Sequence, residues 1–337
     1  MKKGVTIKDI AQKLNMSIST VSKALSKNPS ISSITRERVH QLAEEWNYIP
    51  NEAARHFKLN KSFTIGLIIP DLLDQFYVLA INGVEGVAEK EKYNVILTQS
   101  HEDVLNEEKI TNLMIRNRID GVIVAITKNT MNVQLFQKLV SIGIPVVFIA
   151  REPPGDSFNF VSSNNFEGAL NATNFLIKKG HRRIAHIMGP NSMQTSQVRF
   201  EGYKHALLKN KIPFDSKLIK VVDFTKKSTE LAMKELMRSE KPPTAIFTFK
   251  NYITLDAIEF LKNKYPAKLD KIDFVGFGNL PLLQYLDHKP IASIEENSYQ
   301  IGLEAAQLLF GKIHSQDAGD EEISQHLNVP CRLVIHH

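Results

Sequence analysis

The chain has 337 residues, of which 42 are Lys or Arg and 36 are Asp or Glu, giving a formal net charge of +6. Its single cysteine, Cys331, excludes an intrachain disulfide framework. No apolar run is long enough to cross a bilayer, and no secretory apolar core follows the first residues. We therefore expect a soluble, cytoplasmic protein.

The first 25 residues predict two short helices joined by a tight turn. Thr6 is placed to cap the first helix, with Asp9 three residues later as in a capping box. Asn15 marks the turn because asparagine tolerates a left-handed backbone, and Ser17 is a favourable cap for the second helix. Apolar residues at helical spacing form the predicted inner face: Ile7, Ile10, Ala11, Leu14, Val21, Ala24 and Leu25. The pattern is that of a helix-turn-helix, whose second helix can enter a DNA major groove.

Charge distribution decides between a DNA-binding module and a purely structural helix pair. Residues 1–61 hold 11 Lys and Arg against 5 Asp and Glu, whereas residues 62–337 hold 31 of each sign. A basic module on a neutral body is typical of phosphate-backbone binding. A third helix is predicted from Arg36 to Trp46, capped by Thr35, and Pro50 ends any helix before it. Residues 52–61 are predicted to form one more short helix, too brief to be stable alone.

The remaining residues alternate between apolar strands and amphipathic helices. Such alternation predicts parallel sheets covered on both faces, in two doubly wound halves with a ligand cleft between them. Strands are predicted at 63–69, 94–98, 121–126, 145–149, 183–188, 244–249 and 272–277, with the strand at 145–149 closing the first half. Helices are predicted near 78–90, 107–118 and 133–141.

Catalytic motifs are missing from the sequence. It has no P-loop, no zinc-spaced Cys/His set and no nucleophile elbow, so we expect neither an enzyme nor a cofactor or metal site. A solute-binding protein without a DNA role is the alternative, but it does not explain the basic segment at 1–61.

Several motifs together resemble the LacI/GalR family of bacterial transcriptional regulators. They are T-I-K-D-I-A, S-x-S-T-V-S-K-A-L, T-R-E-R-V and N-Y-I-P-N-x-A-A-R, and the resemblance covers essentially the whole chain. It implies base reading by Ile18, Ser19 and Lys23, phosphate contacts by neighbouring polar groups, and a hinge helix that enters the minor groove. The implied DNA-contacting residues are Thr6, Ser17, Ile18, Ser19, Thr20, Ser22, Lys23, Asn28, Asn51, Ala54 and Phe57. Phe57 stands where family members commonly have a Leu wedge, and Phe can also unstack a base step.

The same resemblance implies an N-terminal all-α helix-turn-helix domain (1–50), a hinge (51–61) and a two-lobed α/β periplasmic-binding-protein-like domain with parallel sheets (62–337). The lobes are expected at 62–161 plus 291–320 and at 162–290 plus 321–337. We expect a homodimeric repressor, without the leucine heptad tail that family tetramers use, that binds operator DNA and is controlled allosterically by a small ligand in the cleft.

The resemblance also places an effector site in this domain. Arg199 lies in the family's R-x-x-G-Y motif, and aromatic residues at 76 and 224 lie where ligand platforms are frequent. The implied effector-binding residues are Phe76, Thr127, Asn164, Arg199, Phe224, Lys250, Asn279 and Glu296. Acidic residues common in sugar-binding members are replaced at 164, 251 and 278, and a lysine, Lys250, appears next to the second of these positions. We therefore hypothesise an anionic sugar acid or sugar phosphate bound by Arg199 and Lys250, with a neutral sugar as the alternative.

Overall fold

The computed structural model describes residues 5–26, 28–49, 61–155, 158–315 and 324–337. The chain divides into two compact units, residues 1–62 and 63–337. The predicted hinge helix, with Asn51, Ala54 and Phe57, lies outside the described residues.

The first unit contains three helices around a small core, as predicted: α1 (Ile7–Leu14), α2 (Ile18–Leu25) and α3 (Ser33–Glu45). Thr6 and Asp9 form a complete capping box on α1, and Asn15 ends this helix in the left-handed conformation (φ 53°). The fully buried core includes Ile10, Val21, Ala24 and Val39. The predicted cap of α3 is wrong by three residues. Ser32 caps this helix by accepting the backbone N–H of Thr35, because a serine was available one turn earlier.

The second unit contains two six-stranded sheets. In the first sheet the order is β11-β5-β4-β3-β1-β2, and all neighbouring strands are parallel. In the second the order is β12-β10-β9-β8-β6-β7, and only the β10–β12 pair is antiparallel. The strands of the first sheet are β1 (Thr64–Ile69), β2 (Asn94–Gln99), β3 (Gly121–Val124), β4 (Val146–Ile149), β5 (Asn159–Ser163) and β11 (His326–Val329). Those of the second are β6 (Ile184–Met188), β7 (Ile219–Val221), β8 (Ala245–Thr248), β9 (Asp273–Phe277), β10 (Ala292–Glu295) and β12 (Arg332–Ile335).

Helices cover the sheets of both lobes. Around the first sheet lie α4 (Gln75–Glu91), α5 (Val104–Arg116), α6 (Gln134–Ser141) and α11 (Ser298–Ser315). Around the second lie α7 (Asn165–Lys178), α8 (Gln194–Lys209), α9 (Lys226–Arg238) and α10 (Asn251–Lys264). Helices α4 and α11 cross so closely at Gly83 and Gly302 that a Cβ on Gly302 would overlap the carbonyl of Ala80. In the part of the chain that the structure describes, no helix is both long and apolar enough to span a membrane.

The strand at 146–149 does not close the first lobe, because β5 and β11 extend its sheet. Strand β5 escaped prediction because its sequence, Asn-Phe-Val-Ser-Ser, is largely polar although every residue in it is buried. The lobe boundaries also differ from those expected. Strand β10 belongs to the second sheet and β11 to the first, so the chain crosses between lobes at 164–165, 296–297 and 330–331.

Candidate DNA-binding and effector-binding sites

Helix α2 presents a polar outer face. Ile18 is 46% exposed, and Ser19, Ser22 and Lys23 are also exposed, while Val21 and Ala24 on the opposite face are fully buried. This face therefore has the three side chains that the sequence predicted for base contact, Ile18, Ser19 and Lys23, together with the hydroxyl of Ser22.

Four other predicted DNA contacts, Thr6, Ser17, Thr20 and Asn28, already have local partners. Ser17 caps α2 through the backbone N–H of Thr20 at 3.0 Å, and Thr6 caps α1. The Oδ1 atom of Asn28 accepts the backbone N–H of Ser30 at 2.9 Å. Thr6 Oγ1 donates its proton to Asp9 Oδ2 at 2.8 Å, so it can donate to a phosphate only by exchanging that partner. The hydroxyls of Ser17 and Thr20 share one hydrogen bond at 2.8 Å, which leaves one of their two protons for a phosphate.

The second unit has a cleft between its lobes at the carboxyl ends of the strands, where open α/β sheets usually bind ligands. Six of the eight predicted effector residues line this one pocket: Phe76, Arg199, Phe224, Lys250, Asn279 and Glu296.

Arg199 on α8 is the central polar group of this pocket. It is only 4% exposed, and its Nη2 donates to Glu296 Oε1 at 2.6 Å. Its Nε donates to Asn165 Oδ1 at 2.8 Å, and its Nη1 donates to the carbonyl of Phe249. The guanidinium lies 3.5 Å from the ring centroid of Phe277. Three hydrogen bonds and the ring of Phe277 thus hold the guanidinium in place.

Burial dominates the acid–base chemistry of this pair. Removal from water raises the pKa of Glu296, and Arg199 opposes that shift by stabilising the carboxylate. Burial likewise lowers the pKa of Arg199, while Glu296 opposes the change. Because neither partner keeps its hydration shell, close contacts and hydrogen bonds to the protein must stabilise both charges of such a pair.

An aromatic surface adjoins the arginine. The rings of Phe224 and Phe249 are stacked with centroids 5.2 Å apart. Phe224 has a left-handed backbone (φ 75°), unusual for a bulky residue, and this conformation is held beside Gly189, where a Cβ would contact the Phe224 ring at 2.9 Å. The ring therefore takes a set position next to the polar groups.

Several hydrogen bonds connect the two lobes across the cleft. Lys250 Nζ lies 3.3 Å from Asp74 Oδ2 at the start of α4 and 4.8 Å from the Phe224 centroid. The hydroxyl of Tyr252 donates to the carbonyl of Leu73 at 2.9 Å. Lys128 Nζ donates to the carbonyl of Asp223 at 3.0 Å. The lobes are therefore held together by the protein's own groups.

Thr127 and Asn164 lie outside the central pocket. Thr127 lines a neighbouring groove together with Lys128. Its backbone N–H donates to the carboxylate of buried Glu107 at 2.8 Å. Asn164 caps α7 through the N–H of Glu167 and is exposed. The next residue, Asn165, is the one that contacts Arg199.

Sequence reasoning missed other residues of the site. Asp74, Asn165, Phe249, Tyr252 and Phe277 all line the pocket. Phe249, Phe277 and Asn165 lie at or just beyond strand ends, a position that could have identified them. Arg151 also lines the pocket and is held by Glu102, whose two carboxylate oxygens accept its N–H groups at 2.6 and 2.9 Å.

The helix-turn-helix and the two-lobed body each match a family model. Residues 6–51 match the model for bacterial regulatory proteins of the lacI family. Residues 62–337 match that for periplasmic binding proteins and the sugar binding domain of the LacI family. The chain belongs to the LacI family.

Individual relatives match this LacI-family chain along almost its whole length. The HTH-type transcriptional repressor CytR of Escherichia coli (strain K12) is 31% identical over 331 residues, covering 98% of this chain and 95% of CytR. The lac repressor dimer bound to operator and the anti-inducer ONPF has a TM-score of 0.83 at 20% identity, with 98% of both chains covered. The regulator CelR in complex with cellobiose has a TM-score of 0.72 at 24% identity, again with 98% of both chains covered.

These matches establish the general activity. The LacI-family chain is a helix-turn-helix transcriptional repressor, not an enzyme, and its partners are operator DNA and a small effector. The predicted fold class is confirmed as well: a helical DNA-binding domain and two α/β lobes with largely parallel sheets.

Proposed function

We propose that this repressor acts as a homodimer whose interlobe cleft binds an uncharged, polyhydroxylated ring compound, a sugar or sugar derivative. The observation that carries this proposal is the buried Arg199, held by Asn165 and Glu296 beside the stacked rings of Phe224 and Phe249. Amide, carboxylate and guanidinium groups offer both donors and acceptors for hydroxyls, and an aromatic face suits the apolar face of a sugar ring.

Charge balance favours an uncharged ligand over the anionic one hypothesised from the sequence. Arg199 is paired with Glu296, Lys250 with Asp74 and Arg151 with Glu102. An anion bound to Arg199 or Lys250 would have to compete with a carboxylate already in place. Hydroxyl groups can join such pairs without displacing a charge.

We further propose that Ile18, Ser19, Ser22 and Lys23 contact base edges. The backbone phosphates would be held by hydroxyl and amide groups at Thr6, Ser17, Thr20 and Asn28. The exposed outer face of α2 supports this assignment. Phe57, with Asn51 and Ala54, is proposed to enter the minor groove.

Exposed apolar side chains support a homodimer. Ile96 and Leu97 are both partly exposed on β2, which is the edge strand of the first sheet, and Leu282 and Tyr285 are exposed on the second lobe. An edge strand with apolar side chains is normally covered by another protein surface. We expect a solution mass of twice 38.1 kDa.

Thermal-shift screening followed by operator binding tests the effector proposal. Neutral monosaccharides, neutral disaccharides, nucleosides, sugar acids and sugar phosphates would each be added to the full-length protein. We expect stabilisation by an uncharged hydroxylated compound, and the same compound should change the affinity for the upstream DNA of the protein's own gene. Phe224→Ala should abolish the thermal shift, whereas Phe214→Ala, a partly exposed aromatic outside the cleft, should not. Stabilisation by acidic compounds alone would overturn the proposal.

A further inference from the structure

The two lobes carry opposite charge. The second lobe, residues 164–296 and 330–337, has 22 Lys and Arg against 14 Asp and Glu, a net of +8. The first lobe, residues 62–163 and 297–329, has 9 against 17, a net of −8. The neutrality of residues 62–337 as a whole conceals this separation.

The positive charge of the second lobe is concentrated on one edge of its sheet. We call this edge the distal face and define it as the segments that lead into its parallel strands: 178–183, 209–217, 238–244, 262–273 and 287–291. Together they hold 14 Lys and Arg against 5 Asp and Glu. Because they precede the strands, they lie at the edge opposite the effector cleft, which is lined by residues that follow the strands.

Contacts between neighbouring segments make the distal face one continuous surface. Arg183 forms an ion pair with Asp215 at 3.0 Å and donates to the carbonyl of Lys241. His181 contacts both Thr244 at 3.0 Å and Asp273 at 2.9 Å. These bonds connect the segments that lead into β6, β7, β8 and β9.

The cations of the distal face are mostly unneutralised. Among the residues that the structure describes, Arg183 is the only one of the fourteen within ion-pair distance of a carboxylate. Lys178, Lys209, Lys241 and Lys271 are all exposed. A surface with this density of unpaired charge has a strong positive potential and attracts polyanions.

Helix capping does not account for this surface. Cations are favoured at helix C-termini by the helix dipole, and the first lobe shows the same preference at Lys90, Lys92 and Arg116. That preference nevertheless gives the segments leading into β2, β3, β4 and β5 of the first lobe (90–94, 116–121, 141–146 and 155–159) only 4 Lys and Arg against 3 Asp and Glu.

We propose that the distal face is a second DNA-binding surface that contacts the phosphate backbone of duplex DNA without base readout. Eleven of its fourteen cations are lysines. Lysine is depleted from protein–protein interfaces but serves well as a point charge for phosphate. Five adjacent strands span about 19 Å at ordinary strand spacing. Duplex DNA carries about 11 phosphates over that length when both strands are counted. The distal face therefore has enough cations, spread widely enough, for the phosphates on the side of a duplex that would face it.

A two-duplex capture assay tests the proposal. Full-length protein would be bound to a biotinylated duplex of its own upstream region on beads, washed, and then given a fluorescent duplex of unrelated sequence at low salt. The distal variant carries Lys209→Gln, Lys211→Gln, Lys241→Gln and Lys271→Gln. The matched control carries the same change at four exposed lysines of the first lobe, Lys90, Lys92, Lys109 and Lys138. Thermal melts of both variants would verify that the fold is retained.

We expect the wild-type protein and the control variant to retain the fluorescent duplex. The distal variant should retain at least about tenfold less while staying on the bead-bound duplex. If each lysine contacts one phosphate, the slope of log affinity for the second duplex against log salt should fall by about 3 to 4. Equal retention by all three proteins would overturn the proposal, since any bridging would then come from the helix-turn-helix units.

Two further measurements separate other anionic partners from DNA. Co-sedimentation with phosphatidylglycerol vesicles that the distal variant loses, without duplex capture by the wild type, would overturn the proposal in favour of a membrane surface. Salt-sensitive assembly beyond a dimer in sedimentation velocity, again without duplex capture, would overturn it in favour of the acidic lobe of a second copy.

Discussion

At the scale of single residues, the sequence motifs predicted the type of side chain in the cleft more reliably than its exact position in the chain. Arg199 was predicted from its motif and lies in the cleft. Asn164 was predicted from a neighbouring motif, but it caps a helix, and Asn165 makes the contact with Arg199. A shift of one residue at a strand–helix junction moves a side chain from the cleft to solvent. Sequence alone does not fix that register because the junction has no periodic pattern.

Breaking the buried Arg199–Glu296 pair by removing one partner should cost far more stability than breaking a surface pair. Glu296→Ala would leave a buried guanidinium without its counter-charge, and we expect a loss of about 3–5 kcal/mol in the free energy of unfolding. Glu259→Ala removes an ion pair with Lys226 whose two side chains are about half exposed, and it should cost much less, because water and salt screen an exposed pair. Urea denaturation of both variants measures the difference. Equal losses would show that the buried pair has no special role.

His186 should make the second lobe sensitive to acid. Its ring is fully buried and stacked 4.5 Å from Phe247, and Nδ1–H donates to the carbonyl of Phe247. Nε2 has no hydrogen-bond partner in the part of the chain that the structure describes. Burial lowers the pKa of His186 to about 4, whereas an unfolded chain has a histidine pKa of about 6.5.

Between these two values the unfolded state binds more protons than the folded state, so stability falls as pH is lowered from about 6.5 to about 4. The full effect is about 3 kcal/mol. His186→Phe should remove this part of the pH dependence. Urea midpoints at pH 7 and pH 4.5 provide the measurement. A wild-type protein and a His186→Phe variant with parallel pH profiles would contradict the assignment.

At the scale of secondary structure, elements with local signals were predicted well. The capping box at Thr6, the left-handed Asn15 and the Ser17 cap are all present because each depends only on residues within one helical turn. Strand β5 and the edge strands β11 and β12 were missed because their burial depends on partners far along the chain. A polar strand buried between two others has no apolar alternation to reveal it.

Helix α2 should determine base preference through Lys23. Lys23→Ala should reduce affinity for the operator by about 1–3 kcal/mol and relax the preference at one base pair. Lys13→Ala, an exposed lysine on α1, should reduce binding to operator and random duplexes alike. Anisotropy titrations against the operator and its single-base variants test this expectation. An unchanged base preference in Lys23→Ala would remove the residue from direct readout.

At the scale of the whole molecule, the two-lobed architecture was predicted but the exchange between lobes was not. The chain crosses three times, and each lobe completes its sheet with a strand from the C-terminal region. The pairing of β11 with β5 joins residues more than 100 positions apart, such as Phe160 with His326, and that of β12 with β10 joins residues about 40 positions apart, such as Ala292 with Ile335. Local sequence patterns contain no information about such partners.

Closure of the cleft should depend on the Lys250–Asp74 contact. Both side chains are partly exposed, so the pair contributes up to about 1 kcal/mol, or a factor of about five in the equilibrium between closed and open lobes. Lys250→Met should therefore increase the radius of gyration in small-angle scattering, and Lys109→Met on the first lobe should not. Identical scattering curves for the wild type and Lys250→Met would show that other contacts suffice for closure.

Arg199 is bonded to residues at two of the three places where the chain crosses between the lobes. Asn165 belongs to the first crossing and Glu296 to the second, and the third is tied to both, through Cys331 to the carbonyl of Asn164 and through Asn297 to the carbonyl of Pro330. A ligand that accepts hydrogen bonds from this guanidinium would compete with Asn165 and Glu296, which lie at two of the three crossings. We therefore expect effector binding and lobe movement to be coupled directly through this one guanidinium.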